Sequence, residues 1–106
     1  GVRTQFQLPD GTTGYLNSGS KLRYPVLFDD ERQVTLTGEA WFAVTHDNDR
    51  PFEVQTGHMR VQVLGTEFNV IAYPEDKMEE VILQDGSVKV TGKTGNELAQ
   101  LKPDER

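Results

Sequence analysis

Apolar and polar residues alternate along most of this chain, and the densest alternation lies between residues 59 and 73. Up to Val63 the apolar side chains occupy odd positions, whereas from Leu64 onward they occupy even positions. Because successive side chains of a strand point to opposite faces, this change predicts a bulge or a corner at Leu64-Gly65, where glycine gives the backbone extra freedom. We expect two buried strands joined at a sharp bend, with Phe68 in the core. One long strand with a loosely packed middle is the alternative.

Other segments show the period-two pattern of half-buried strands, separated by turn residues. The predicted strands cover residues 2–8, 34–37, 39–44, 52–56, 80–83 and 88–90, with a further short strand that ends at residues 15–16 and an extended edge segment at residues 22–28. Residues 39–44 are apolar on both faces and should be covered on both sides. Residues 80–83 and 88–90 should pair with each other around Asp85-Gly86, and residues 29–32, which end at Arg32, are predicted to form a solvated turn. Since no window sustains a helical i, i+3, i+4, i+7 pattern, the predicted fold class is all-β.

Leucines that are closely followed by turn or bend residues recur along the chain at spacings of 28, 28, 19 and 18 residues (Leu8, Leu36, Leu64, Leu83 and Leu101). A strand, a corner and another strand in succession form the unit of a coiled β-solenoid or β-roll, which buries a continuous stripe. This spacing predicts a twisted, β-solenoid-like roll of short strands. Because the period is irregular, a β-sandwich is the alternative.

Composition narrows the range of partners. The chain has 106 residues, which suits one domain, and a formal net charge of −6 with its basic residues scattered singly. This charge argues against nucleic acid or anionic lipid as a partner, since both need clustered Lys and Arg. There is no cysteine, which excludes a disulfide, a thiol nucleophile and a thiolate metal site. No apolar run approaches the roughly 20 residues of a membrane helix, so any such segment of the natural protein is expected outside this sequence.

Candidate catalytic and metal-binding residues are few. His46 and His58 lie in predicted turns, with no carboxylate at a spacing that implies a shared site. Residues 47–49 (Asp-Asn-Asp) faintly resemble a calcium loop but lack its glycine and its final bidentate glutamate. The glycines never form a phosphate-cradling series, and the serines lie outside any nucleophile motif. The sequence therefore predicts no enzyme, no cofactor and no metal.

Two aromatic residues, Trp41 and Tyr73, allow two interpretations. They could be exposed platforms on which a sugar ring stacks, or they could fill the second face of the sheet, which we favour.

Several segments, in the same order and across nearly the whole chain, resemble the FecR family, and in particular its Bacteroidetes members. These are residues 8–12 (Leu-Pro-Asp-Gly-Thr), 16–25 (Leu-Asn-Ser-Gly-Ser-Lys-Leu-Arg-Tyr-Pro), 32–44 (Arg-Gln-Val-Thr-Leu-Thr-Gly-Glu-Ala-Trp-Phe-Ala-Val), 50–54 (Arg-Pro-Phe-Glu-Val), 63–70 (Val-Leu-Gly-Thr-Glu-Phe-Asn-Val) and 85–88 (Asp-Gly-Ser-Val). The most specific pieces are the Gly38-Glu39-Ala40 aromatic strand and the corner at residues 64–66. One departure is Gly14, where the family usually has a bulky apolar residue.

This resemblance implies a function. FecR-like proteins are anti-sigma factors with a cytoplasmic sigma-binding segment, one transmembrane helix and a periplasmic sensor region. Residues 1–106 would be a single domain, the first β-rich part of that periplasmic region. In the family, the N-terminal signalling domain of a TonB-dependent outer-membrane transducer contacts this region, and the signal frees an extracytoplasmic-function (ECF) sigma factor. The family fold is described as a twisted β-solenoid-like unit.

Two other functions stay open at the level of sequence. A carbohydrate-binding β-domain would present Trp41, Tyr73 or Tyr24 to a sugar, and a structural spacer would bind no transducer. For the relay, the candidate partner-binding residues are Tyr24, Val26 and Phe28. Pro25 keeps their segment out of a central strand, so it is expected at a sheet edge that can accept a strand from another chain.

Overall fold

The protein is an array of short β-strands. The structure, a computed structural model, describes residues 3–28, 31–47, 49–57, 59–74, 79–85, 88–92 and 97–101. The strands are β1 (Thr4–Gln7), β2 (Thr13–Leu16), β3 (Lys21–Arg23), β4 (Arg32–Ala43), β5 (Phe52–Gln55), β6 (Met59–Val63), β7 (Glu67–Ala72), β8 (Glu80–Asp85), β9 (Val88–Gly92) and β10 (Glu97–Leu101). These described residues contain no helix, and hence none that could cross a membrane, and the all-β prediction is confirmed.

The longest strand, β4, joins two parts of an open, mixed sheet. Its second half pairs with β2 on one side and β7 on the other, and β1 and β8 extend this part, which we call sheet A. Its first half pairs with β3 and, in parallel, with β5, and this part continues through β6, β9 and β10 as sheet B. The change of partners falls at Gly38, whose φ of 106° is a conformation that side-chain-bearing residues rarely adopt.

The core lies between sheets A and B. Even-numbered positions of β4 face it without interruption from residue 32 to residue 42. Phe42 stacks on Phe68 of sheet A, with ring centroids 5.2 Å apart, and also contacts Phe52 of sheet B at 5.9 Å. All three rings are fully buried. Such aromatic pairs add to the stabilisation that comes from burying their area, so this cluster is the centre of the core.

The predicted corner at Leu64-Gly65 is confirmed. Strand β6 ends at Val63 in sheet B and β7 begins at Glu67 in sheet A, so the chain changes sheets where the apolar pattern changes parity. Glycine is required at position 65 because the backbone of His46 lies close to it. A Cβ at this position would lie 2.5 Å from Cα of His46. Leu64 itself is 44% exposed, so the even-numbered core positions begin after it.

Other predictions about the strands are wrong. Strand β8 pairs with β7 in sheet A, whereas β9 pairs with β6 and β10 in sheet B, so residues 80–83 and 88–90 do not form a hairpin. Each segment instead adds its buried side chains to the core from a different sheet. The second face of residues 39–44 is covered only in part, because Trp41 and Ala43 are half-buried.

The recurrent leucines do not occupy equivalent positions. Leu8, Leu36 and Leu83 are buried whereas Leu64 is exposed, and the side chain of Leu101 lies outside the described part. The departure at Gly14 has a local explanation. This glycine is buried, and a side chain there would clash with the Trp41 carbonyl and the Phe6 ring.

Candidate functional site

The candidate partner-binding segment begins at an edge of sheet B. Strand β3 pairs with Thr35–Thr37 of β4, and no described strand pairs with its other side. Tyr24 and Val26 follow β3 and are 43% and 88% exposed. Phe28 turns inward, with its ring centroid 6.2 Å from that of Phe52. The sequence-predicted residues are therefore divided, because Tyr24 and Val26 face solvent while Phe28 packs on the core.

A shallow groove of about 540 Å³ runs beside this edge. It is lined by side chains of β3, of Tyr24 and of the neighbouring part of β4 (Lys21, Leu22, Arg23, Tyr24, Thr35 and Thr37). Two of these residues, Lys21 and Arg23, are cationic, although the chain has a net charge of −6. The edge thus offers backbone groups that no described strand pairs, exposed apolar side chains and a local positive charge.

The outer face of sheet A, which points away from the core, holds a second feature. Trp41 lies there and is half-buried, so part of its side chain is packed and part is accessible to solvent. The Trp41 ring lies 5.9 Å from that of Tyr15, and both line an open pocket. Tyr73, the residue directly after β7, is half-buried, and its hydroxyl donates to the carbonyl of Ser18 at 3.5 Å.

One buried arginine, Arg32, ties three chain connections together. Its Nη1 donates to Asp10 Oδ2 at 2.9 Å and to the carbonyl of Thr45 at 2.6 Å. Its Nε donates to the carbonyl of Arg50 at 2.7 Å, and its Nη2 to that of Leu64 at 3.1 Å. These acceptors belong to the β1–β2 turn, the β4–β5 loop and the β6–β7 corner.

The prediction of a solvated turn is therefore wrong at its last residue, because Arg32 is fully buried. Asp10, its buried partner, also accepts from the backbone N–H and the hydroxyl of Thr12, at 2.9 and 2.7 Å. The guanidinium carbon lies 5.6 Å from the Phe52 ring centroid. A buried charge is tolerated when it is paired and hydrogen-bonded, and this network meets both conditions.

The β4–β5 loop, whose residues 47–49 faintly resemble a calcium loop, contains an ion pair. Arg50 Nε donates to Asp47 Oδ2 at 2.9 Å, and chiefly this hydrogen bond lowers the pKa of Asp47 below its ordinary value. His46 is exposed, while His58 and Asn48 lie outside the described residues. Among the residues that the structure describes, no three His, Cys, Asp or Glu side chains cluster as metal ligands would.

Comparison with known proteins identifies the family. A family model described as "FecR protein" matches residues 1–89. The chain belongs to the FecR family. Two crystal structures of a candidate anti-sigma factor from Parabacteroides distasonis, at 1.65 and 2.50 Å resolution, resemble this FecR chain with TM-scores of 0.92 and 0.93. Each is 42% identical and matches 99% of this chain, which spans about half (49%) of the length of that protein. No curated protein matches the chain.

Sequence reasoning missed the buried network of this FecR chain, although a signal was present. Arg32 lies in phase with Val34 and Leu36, so extending the strand backwards by two residues places it on the core face. Its partner, Asp10, lies in a turn 22 residues earlier in the sequence. The local sequence pattern does not link Arg32 with Asp10, because only the folded chain brings the two side chains together.

Proposed function

We propose that this FecR-family chain is the periplasmic sensor and relay domain of a longer, membrane-anchored anti-sigma factor. The observation that carries the proposal is its similarity to the candidate anti-sigma factor from Parabacteroides distasonis, at 42% identity over 99% of the chain. That protein is about twice as long as this chain. Residues 1–106 then act as one domain of a protein whose transmembrane helix and cytoplasmic sigma-binding segment lie elsewhere in its sequence.

In this proposal the domain transmits a signal and catalyses no reaction. The input is contact with the N-terminal signalling domain of a TonB-dependent outer-membrane transducer, and the output is release of an ECF sigma factor. The regulatory, non-enzymatic character of the FecR family supports this role.

The proposed contact surface is the edge formed by β3 and the residues after it. An incoming strand would hydrogen-bond to the unpaired side of β3, and Tyr24 and Val26 would supply exposed apolar contact. Lys21 and Arg23 favour an acidic or neutral strand over a basic one. Phe28 would act indirectly, because it packs against Phe52 and holds the segment in place.

Gene order gives the first test of the relay. A sigma-factor gene upstream and a transducer gene downstream of the full-length gene are the expected neighbours.

A transcriptional reporter gives the direct test. The host carries a promoter that depends on the neighbouring sigma factor, and it expresses the full-length protein as wild type, as Tyr24→Asp or as Arg60→Asp. Arg60→Asp is the control, because Arg60 is exposed on β6, in another part of sheet B. We expect induction by the transducer in the wild type and the control, and its loss in Tyr24→Asp. Induction that persists after deletion of the full-length gene would contradict the relay role.

A further inference from the structure

Sheet A carries an open pocket of about 460 Å³ on its outer face. This volume lies within the range of about 300–1,000 Å³ that is usual for small-molecule sites. Its lining mixes aromatic, amide and charged side chains with one aliphatic residue (Arg3, Tyr15, Asn17, Glu39, Trp41, Asn69 and Ile82). The pocket lies on a different face from the β3 edge proposed for the protein partner.

Strand register places the lining in one row. Tyr15 of β2 pairs with Trp41 of β4, Trp41 with Asn69 of β7, and Asn69 with Ile82 of β8. Directly opposed residues in neighbouring strands point to the same face with Cβ atoms about 4.5–5.5 Å apart. The row is therefore fixed by backbone hydrogen bonds of the sheet, which makes it a preformed surface.

Two aromatic rings form the floor of this surface. The Tyr15 and Trp41 rings lie 5.9 Å apart at an interplanar angle of 33°, so together they make one shallow, slightly curved apolar plate. Tyr15 is 39% exposed and Trp41 is half-buried, which leaves part of both rings accessible from solvent. A plate of this kind suits a ligand that has a flat apolar face.

Polar groups stand beside the plate and are held in position. Asn69 Nδ2 donates to Glu39 Oε2 at 2.9 Å, which orients both side chains. The backbone of Glu39 is fixed as well, since its N–H donates to Ser20 Oγ at 2.8 Å and its carbonyl accepts from Asn17 N–H at 3.0 Å. An amide and a carboxylate together offer donors and acceptors to a ligand rim.

We propose that this pocket binds a neutral mono- or disaccharide. The C–H face of a sugar ring would lie over Trp41 and Tyr15, and its hydroxyl groups would hydrogen-bond to Asn69 and Glu39. A wholly apolar ligand would displace water from the remaining donors and acceptors of Asn69 and Glu39 without replacing its hydrogen bonds, which is costly. The opposite charges of Arg3 and Glu39 in the lining offset each other, so the pocket carries no net charge that would select an anionic or a cationic ligand. A neutral ring with hydroxyl groups on its rim provides hydrogen-bond partners for the polar groups and adds no charge to the pocket.

Fluorescence offers a direct measurement because Trp41 is the single tryptophan of the chain. The probes are glucose, galactose, mannose, xylose, N-acetylglucosamine and their common disaccharides, with glucuronate as an anionic sugar and glycerol as a solvent control. We expect a saturable change in Trp41 emission with at least one neutral sugar. The expected dissociation constant is between about 10 μM and about 1 mM, which is usual for ligands of this size.

Variants distinguish the pocket from an indirect effect. Tyr15→Ala and Asn69→Ala should each weaken binding of that sugar by about tenfold or more, while Tyr24→Ala, an exposed aromatic residue on sheet B, should leave it unchanged. Melting temperatures of all variants are measured alongside to check that they fold. Binding to Trp41→Phe is measured by calorimetry, because this variant lacks the fluorescent tryptophan.

Three results would overturn the proposal. The first is the absence of a saturable response to every neutral sugar at concentrations up to about 50 mM, far above the expected dissociation constants. The second is a response that glycerol or glucuronate reproduces. The third is equal affinity in wild type, Tyr15→Ala and Asn69→Ala.

Discussion

At the scale of single residues, the burial of Arg32 explains how three separate connections are held at one end of the molecule. Its guanidinium bonds to one carboxylate and to carbonyl groups of the β4–β5 loop and the β6–β7 corner. Burying a charge of this kind is favourable only while its partners remain in place. The stability of the corner therefore depends on a turn that is far away in the sequence.

This dependence can be measured with Asp10→Ala. The substitution leaves the buried Arg32 charge without its counter-ion, and the free energy of unfolding should fall by about 3–5 kcal/mol. Asp49→Ala, at an exposed carboxylate, is the matched control and should change stability by less than about 0.5 kcal/mol. Urea unfolding of both variants provides the comparison, and equal small effects would mean that the pair contributes little.

Phe68 is the second residue on which the fold depends. Its ring stacks on Phe42 in the centre of the core, so Phe68→Ala should leave a cavity and cost about 3–5 kcal/mol. Glu67→Ala, at the exposed neighbouring position, serves as the control in the same chemical denaturation series. A loss below about 1 kcal/mol would be typical of a surface residue and would contradict the register of β7.

At the scale of elements, β4 determines the architecture because it belongs to both sheets and changes partners at Gly38. This glycine has a positive φ, and a side chain there would clash with Ser20. Gly19 also has a positive φ, 77°, but no atom lies within 4 Å of the place of a Cβ. Substitution of Gly19 therefore measures the cost of a positive φ alone, whereas substitution of Gly38 adds the cost of a steric clash.

Alanine substitutions at these positions test the account of β4. Gly19→Ala should cost about 1–2 kcal/mol from the left-handed conformation alone. Gly38→Ala should cost more, since Ser20 must also move and its hydrogen bond from the Glu39 N–H is disturbed. Thermal melts of both variants decide the point, and an equal or smaller loss for Gly38→Ala would show that contact with Ser20 does not constrain position 38.

The elements also show what a sequence can predict. Parity alone located the corner at residues 64–65, because burial of one face imposes a strict period of two on a strand. A different argument, from turn residues, predicts a hairpin for residues 80–90 and is wrong. A turn reverses the chain in the same way whether the next strand returns to its neighbour or crosses to another sheet. Choosing between these outcomes requires contacts that are distant in sequence, here with β6 and β7.

At the scale of the whole molecule, the candidate sites were predictable to different degrees. The exposed segment at Tyr24 and Val26 could be anticipated because Pro25 excludes a central strand. The pocket at Trp41 could not, since its lining comes from positions as far apart as Arg3 and Ile82, which only strand register brings together. The inward position of Phe28 could likewise not be predicted from the sequence, because its partner Phe52 lies 24 residues later.

We propose that this FecR domain receives its signal through the β3 edge. The most direct measurement is a titration of the transducer's N-terminal signalling domain into the intact periplasmic region, as wild type, Tyr24→Asp, Val26→Pro and the control Arg60→Asp, with melting temperature followed in parallel. We predict that the wild type and the control bind, and that Tyr24→Asp and Val26→Pro bind at least about tenfold more weakly with little change in melting temperature, since both side chains face solvent. Equal affinity of all four proteins would contradict the edge assignment, and no binding by the wild type would contradict the relay itself.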